Sequence, residues 1–311
     1  MAVVFSGQGA QKVGMGRDLA AAFPVARELI ERADASLGRP LSAIMFDGPE
    51  DELTRPANCQ PAPYVHGLAC LPALGATVGT LEPAAVAGLS LGEFTAHAAA
   101  GTFDFGSGLR LVEQRGTFME EACRATNGGM AVLIGGDEAA VRALAADCDI
   151  DVANLNAPGQ IVVSGEAAKV ATAVSLAREK GIRMARELKV AGAYHSRLMQ
   201  LAYEKFAAPL EAAELRAPRL PVVCNVDGRP VAGAAEIRRS LHEQVTSTVR
   251  WVDCVEHMID ELGCSLFIEL GPGGVLAGLI NRIRKDTRVI SVENAESLER
   301  ARAEIAALGD A

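Results

Sequence analysis

Aromatic residues are scarce: they make up 4% of the 311 residues, with one tryptophan and three tyrosines. A Tyr- and Trp-rich binding face is disfavoured, and the bulk of Ala, Val, Leu and Gly suits close packing of helices on a sheet. Paired cysteines are also missing. The seven cysteines (Cys59, Cys70, Cys123, Cys148, Cys224, Cys254, Cys264) are odd in number, spread out and never in a C-x-x-C pair. That pattern argues for reduced thiols in a cytosolic protein and against a disulfide framework or a zinc knuckle. Positive charge is in deficit, with 30 basic against 39 acidic residues and a net charge of −9. Nucleic acid and anionic membranes are therefore poor partners, and an anionic substrate must meet a local positive site.

Long apolar runs are absent too. The N-terminus passes from Met1 into Ala2-Val3-Val4-Phe5 without a basic lead or a cleavable stretch, so no signal peptide is expected. The segment between Arg55 and Glu82 carries no charge, but Pro56, Pro61, Pro63 and Pro72 interrupt it together with Asn58 and Gln60. A buried helix is expected there, not a membrane span. The expectation is a cytoplasmic monomer with no metal and no bound cofactor.

What is present is an alternation of short apolar runs with helix-period segments, the pattern of an α/β protein. Ala2 to Phe5 reads as a strand ending in the loop Ser6-Gly7-Gln8-Gly9-Ala10. Ala84 to Ala87 reads as a second strand, and Leu91 to Ala100 as the helix after it. In the middle of the chain six segments spell β-α-β-β-α-β: Met130–Ile134, Asp137–Ala146, Ile150–Leu155, Gln160–Gly165, Glu166–Lys180 and Ile182–Lys189. This is the ferredoxin-like order. The reading is a large α/β domain (1–127 and 191–311) interrupted by a ferredoxin-like subdomain (128–190). Strands Leu220 to Asn225, Ser265 to Leu270 and Thr287 to Val292 complete the large domain, with a last helix from Glu296 to Leu308.

Gly88-Leu89-Ser90-Leu91-Gly92 fits G-x-S-x-G, in which small residues flank a serine on a tight strand-to-helix turn. In that setting Ser90 Oγ stands exposed and the Leu91 N–H points where an oxyanion would form. The same five residues also fit a glycine-bounded turn with a helix-capping serine. A nucleophilic serine needs a base. Of the five histidines, His195 sits in a loop just past the ferredoxin-like unit, from which it can reach the main domain. His97 lies on the same helix as Ser90, roughly 10 Å along the axis and too far. In the helical run Ser107 to Arg124, Arg115 falls between Leu111, Val112, Phe118 and Met119 at i±3 and i±4 spacings and Ala122 at i+7, inside the apolar stripe. A guanidinium there costs several kcal/mol unless paired, so it has a buried carboxylate partner or awaits an anionic ligand. Its planar fork suits a carboxylate. Gly7-Gln8-Gly9 fails as a dinucleotide fingerprint because Lys12 stands where the third glycine belongs; a second oxyanion donor is the simpler use. The amides of Asn154, Asn156 and Gln160 flank Ala157-Pro158-Gly159 and suit either ligand binding or a plain turn.

Taken in order along the chain, these segments resemble the malonyl-CoA:acyl carrier protein transacylase family, which includes polyketide synthase acyltransferase domains. The resemblance rests on Phe5 to Gln11, Gly88 to Glu93, Arg115-Gly116, Asn154 to Gln160, Gly192 to Ser196 and Glu269 to Gly273. It implies an α/β-hydrolase-like large domain and ping-pong transfer of a malonyl group from malonyl-CoA to holo acyl carrier protein. Ser90 would be the nucleophile, His195 its base, Gln8 and Leu91 the oxyanion donors and Arg115 the grip on the malonyl carboxylate. The backbone carbonyl of Gln244 would orient His195, while Met119, Asn154, Asn156, Gln160 and Tyr194 would line the substrate site. Ser6 departs from the family's usual proline and Leu89 from its common histidine. Tyr194 before the base and Leu91 after the nucleophile match malonyl-type members. A serine esterase or thioesterase of α/β-hydrolase type, or a trans-acting polyketide synthase acyltransferase, is the alternative.

Overall fold

The structure, a computed structural model, describes residues 1–309, with side chains through Ala307. Ten strands follow one another along the chain: β1 (Ala2–Phe5), β2 (Ala85–Gly88), β3 (Gly128–Ile134), β4 (Asp151–Ala157), β5 (Gln160–Glu166), β6 (Met184–Glu187), β7 (Val222–Val223), β8 (Pro230–Val231), β9 (Leu266–Leu270) and β10 (Arg288–Val292). They form two sheets. The larger has the order β10-β9-β1-β2-β7-β8, parallel except for the antiparallel edge strand β8. The smaller, β4-β5-β3-β6, is antiparallel.

The all-apolar reading of β1 follows from its place at the centre of a sheet covered on both faces. Val3 and Phe5 point into one core cluster with Val86, Ile268 and Leu270, while Ala2 and Val4 point into another with Ala85, Ala87 and Phe267. The uncharged segment forms the helix Pro61–Val78, largely buried against the first cluster. Among the described residues no helix is long and apolar enough to cross a membrane.

The smaller sheet has a core of its own, where Leu133, Val152, Ile161 and Val163 meet Val141, Leu144, Val170 and Ala173 from the helices Glu138–Asp147 and Ala167–Leu176. Its opposite face, with Met130, Ala153 and Val162, joins the large core. The second of these helices stops at Leu176, short of Lys180, and the chain runs on through turns to Gly181, a left-handed residue with φ of 79°. Edge strand β4 is also laced to a later stretch of the chain: Leu155 N–H donates to Val249 O at 2.9 Å and Val249 N–H to Ala153 O at 2.8 Å.

Two expected strands are much shorter than their sequence suggests. Ile182 to Lys189 pairs only at Met184–Glu187. Leu220 to Asn225 pairs only at Val222–Val223. Pro221 has no N–H to give, and past Val223 the chain turns: Cys224 N–H pairs with Arg229 O and Asn225 N–H leaves the ladder for the Glu93 carboxyl.

Candidate active site

The parallel pairing of β1 and β2 sets Phe5 beside Gly88, so the loops that follow, carrying Gln8 and Ser90, leave the sheet side by side at its C-terminal edge. The glycines of the second loop are dictated by space. A Cβ on Gly88 would run into the backbone of Gly92, and one on Gly92 into the Phe5 carbonyl. Between them Ser90 has φ 55° and ψ −104°, a strained region for a residue with a Cβ, costing about 1–3 kcal/mol. Ser90 makes no side-chain cap on the helix Leu91–Ala99. Its N–H is held by Asn225 Oδ1 at 2.6 Å, and its Oγ faces His195 Nε2 at 2.7 Å.

His195 has crossed from the loop after the small sheet to meet it, and it too has a left-handed φ of 55°. Its Nδ1 lies 2.8 Å from the backbone carbonyl of Gln244. A carbonyl only accepts, so Nδ1 carries the hydrogen and Nε2 presents its lone pair to Ser90. Burial first, and then the nearby Arg115 charge, lower the His195 pKa to about 4. The imidazole is therefore neutral at pH 7.

Arg115, 1% exposed, projects from the helix Phe105–Ala125 to the same spot. One Nη donates to Gln60 Oε1 at 2.7 Å; the other donates to Gln244 Oε1 at 2.9 Å and Ser90 Oγ at 3.1 Å. Its Cζ lies 5.4 Å from the Phe94 ring centroid. Among the described residues no carboxylate touches this guanidinium. The carboxyl of Glu93 is one side chain away, accepting from Gln244 Nε2 at 2.7 Å. Burial, which outweighs Glu93's charge, lowers the Arg115 pKa to about 10.

A cavity of about 450 Å³ opens onto the serine and histidine. Gln8, Met119, Asn154, Asn156, Gln160 and Tyr194 line it. Among the described residues Asn156 Oδ1 is buried without a partner, whereas Gln160 Oε1 accepts from Arg282. The asparagines therefore sit on a hairpin and face the cavity at once, with Gly159 at φ 67° making the turn. Leu91 is fully buried and does not line the cavity, but neither its N–H nor that of Gln8 has a protein acceptor among the described residues. Leu89 contributes apolar wall where a histidine would bring a polar ring. Ser6 keeps an N–H that proline would lose and donates it to Leu270 O at 3.3 Å.

Three site residues escaped the reading of the sequence: Gln60, Glu93 and Asn225. Only Glu93 left a signal there, as the one carboxylate in a helix that carries no Lys or Arg, three residues past the serine. Asn225 Nδ2 donates to Gly88 O at 2.9 Å while its Oδ1 holds Ser90 N–H, so one side chain pins both sides of the elbow.

Burial of histidine has a consequence for stability. His66 and His195 are lowered to about 4 and His97 to about 3 from an ordinary 6.5, each mainly by desolvation. The unfolded chain takes up these protons first, so their contribution is whole above pH 6.5 and drains as pH falls toward 4. Glu93, raised to about 7 by burial, works in reverse: its contribution is present below its ordinary 4.5 and is lost as pH rises through 7. Three histidines outweigh it, and thermal melts from pH 7 to 4.5 should show the melting temperature falling by more than about 5 °C. A flat profile would mean that the histidines are not desolvated.

The geometry can be set beside known proteins. The acyl transferase domain family matches residues 2–305. The malonyl CoA-acyl carrier protein transacylase of Bacillus subtilis is 38% identical over 306 residues, 97% of this chain and 96% of that protein. An acyl carrier protein S-malonyltransferase from Vibrio cholerae superposes with a TM-score of 0.92 at 37% identity, covering 96% of this chain and 99% of that one. A malonyl-transacylase solved in complex with its type II polyketide synthase acyl-carrier protein gives 0.93 at 37% identity, covering 97% and 99%. A serine and a histidine at one cavity mouth, with a buried arginine hydrogen-bonded to the serine, thus occur in a chain that, over nearly its full length, belongs to the acyl transferase domain family.

Proposed function

We propose that this chain transfers a malonyl group from malonyl-CoA to the phosphopantetheine thiol of an acyl carrier protein, through a malonyl ester on Ser90. In the first step His195 Nε2 takes the Ser90 Oγ proton as Oγ attacks the thioester carbonyl. The N–H groups of Gln8 and Leu91 hold the tetrahedral oxyanion. The C–S bond then breaks, and His195 returns the proton to the departing CoA sulfur. In the second step the carrier's thiol gives its proton to His195 and attacks the ester; the C–O bond breaks and Oγ is reprotonated. The Gln244 carbonyl keeps the imidazole in the tautomer that both steps need.

The observation that carries the malonyl assignment is Arg115 at 3.1 Å from Ser90 Oγ with no carboxylate of its own among the described residues. One methylene separates the two carbonyl carbons of a malonyl group, so a guanidinium touching the nucleophile is within reach of the free carboxylate of the ester. Asn156 Oδ1, unpartnered in the cavity wall, fits a donor on the pantetheine arm. Lining roles for Met119, Asn154, Gln160 and Tyr194 belong to the same reading.

Intact-mass spectrometry tests it. Wild-type protein mixed with malonyl-CoA should gain one malonyl group and lose it when holo carrier protein of fatty-acid or polyketide type is added. A chain that never gains the mass defeats the proposal, and release of free malonate without carrier would favour the hydrolase alternative.

A further inference from the structure

Glu93 is fully buried beneath the serine and is not used by the transfer chemistry. Its Oε2 accepts from Asn225 N–H at 2.9 Å and Gln244 Nε2 at 2.7 Å, and its Oε1 faces Ser240 Oγ at 3.4 Å. Gln244 is thus shared four ways, its amide nitrogen also donating to the Ser90 backbone carbonyl at 3.0 Å. Its amide nitrogen rests on Glu93, its amide oxygen on Arg115 and its backbone carbonyl on His195. The buried site holds one cation and one carboxyl linked through a single amide. Bringing in the carboxylate of a dicarboxylic acyl group makes two negative groups for one guanidinium, in a medium where an uncompensated charge is costly.

We propose that Glu93 takes up one proton from solvent when a dicarboxylic acyl group is loaded onto Ser90. It thereby acts as the positioning residue that sets how strongly the site prefers malonyl to a monocarboxylic acyl group. The step is a protonation alone: carboxylate plus H⁺ gives carboxylic acid, and no other bond changes. It rests on the Arg115 reading given above.

The partners of Glu93 accommodate the change. Two of the three are N–H groups on Oε2 and keep donating. The third is a hydroxyl, and it can turn to accept a proton placed on Oε1. Gln244 therefore stays in place in either state, still holding Arg115 and His195. The titratable and charged groups around Glu93 leave a clear window. Burial raises Glu93 itself to about 7. Arg115 stays charged until about 10 and His195 neutral down to about 4. Burial pushes Cys224 up to about 11 and Cys254 well above the usual thiol range.

The test is the ratio of kcat/KM for Ser90 loading from malonyl-CoA to that from acetyl-CoA, measured between pH 5.5 and 8.5. Effects on His195 are common to both substrates and cancel. In the wild type the ratio should be level at low pH and fall above pH 7, toward about tenfold per pH unit, as expected for uptake of one proton. Glu93→Gln, with the same shape but no titration, should give a level ratio. A level wild-type ratio, or an unchanged slope in Glu93→Gln, overturns the proposal. Should that variant fail to fold, the wild type suffices: with a pH indicator at pH 7.5, malonyl loading should take up a substantial fraction of a proton more than acetyl loading. Equal uptake overturns it. Arg115→Ala separates the two readings. If it leaves the malonyl preference intact, the carboxylate grip itself is wrong; if it abolishes the preference while the wild-type ratio ignores pH, only the proton uptake fails.

Discussion

Given malonyl-CoA, the Ser90→Ala chain should gain no acyl mass, and transfer to carrier protein should drop on the order of 10⁴- to 10⁶-fold. The size of the loss follows from how completely the site is built around one oxygen. Ser90 Oγ is touched by His195 Nε2 at 2.7 Å and by an Arg115 Nη at 3.1 Å, and the backbone is strained to put it there. The seven thiols offer no substitute, since six are buried and Cys148, half-buried, sits at the end of the helix Glu138–Asp147 beside the small sheet. His195→Ala should cost nearly as much alone, and the double variant little more than either, because nucleophile and base act as a unit. Acylation persisting in Ser90→Ala would remove Ser90 from the mechanism. Additive losses in the double variant would show that His195 does not serve the serine.

The second large effect is selective. Arg115→Ala should lower kcat/KM for malonyl-CoA on the order of 10² to 10³-fold, the scale of truncating one side of a buried charge pair. Acetyl-CoA, which has no carboxylate to grip, should lose less than about tenfold. Some loss is expected even there, since Arg115 also donates to Ser90 Oγ and Gln60. Arg115→Lys should fall between, because an ammonium supplies charge without the two-pronged fork. An equal loss for both thioesters would make Arg115 a brace for the elbow and not a reader of the substrate. Melting curves of each variant guard against misfolding, because truncation leaves a hole lined by the Gln60 and Gln244 oxygens.

Much of the candidate site is legible in the sequence, for identifiable reasons. Ser90 is announced by its glycines, whose spacing reflects a turn where a Cβ would strike backbone. Arg115 betrays itself by sitting among Leu111, Val112 and Met119, where charge is out of place. Gln244 is different: its local sequence says nothing of His195, and only the family resemblance pointed to it. Gln60 and Asn225 remained hidden because their roles arise from contacts across long stretches of chain. Asn225 meets Ser90 across 135 positions and Gln60 meets Arg115 across 55. No periodicity reports such a meeting. Asn225 also explains why a six-residue apolar segment pairs over only two: the chain leaves the sheet to deliver that amide to the elbow. The six segments of the small sheet were legible because each has its own period and together they bury a core of their own, with the second helix and the last strand both overextended at their ends.

The lacing of β4 to Val249 also bears on how this molecule behaves among copies of itself. An antiparallel sheet has two open margins, and each is a template on which a neighbouring chain can assemble. Here one margin is already taken, since Val249 occupies the backbone groups of Ala153 and Leu155. The other is β6, four residues long, with Arg186 and Glu187 facing water. A strand approaching from another molecule finds one side occupied and the other short and charged, which guards the small sheet against aggregation.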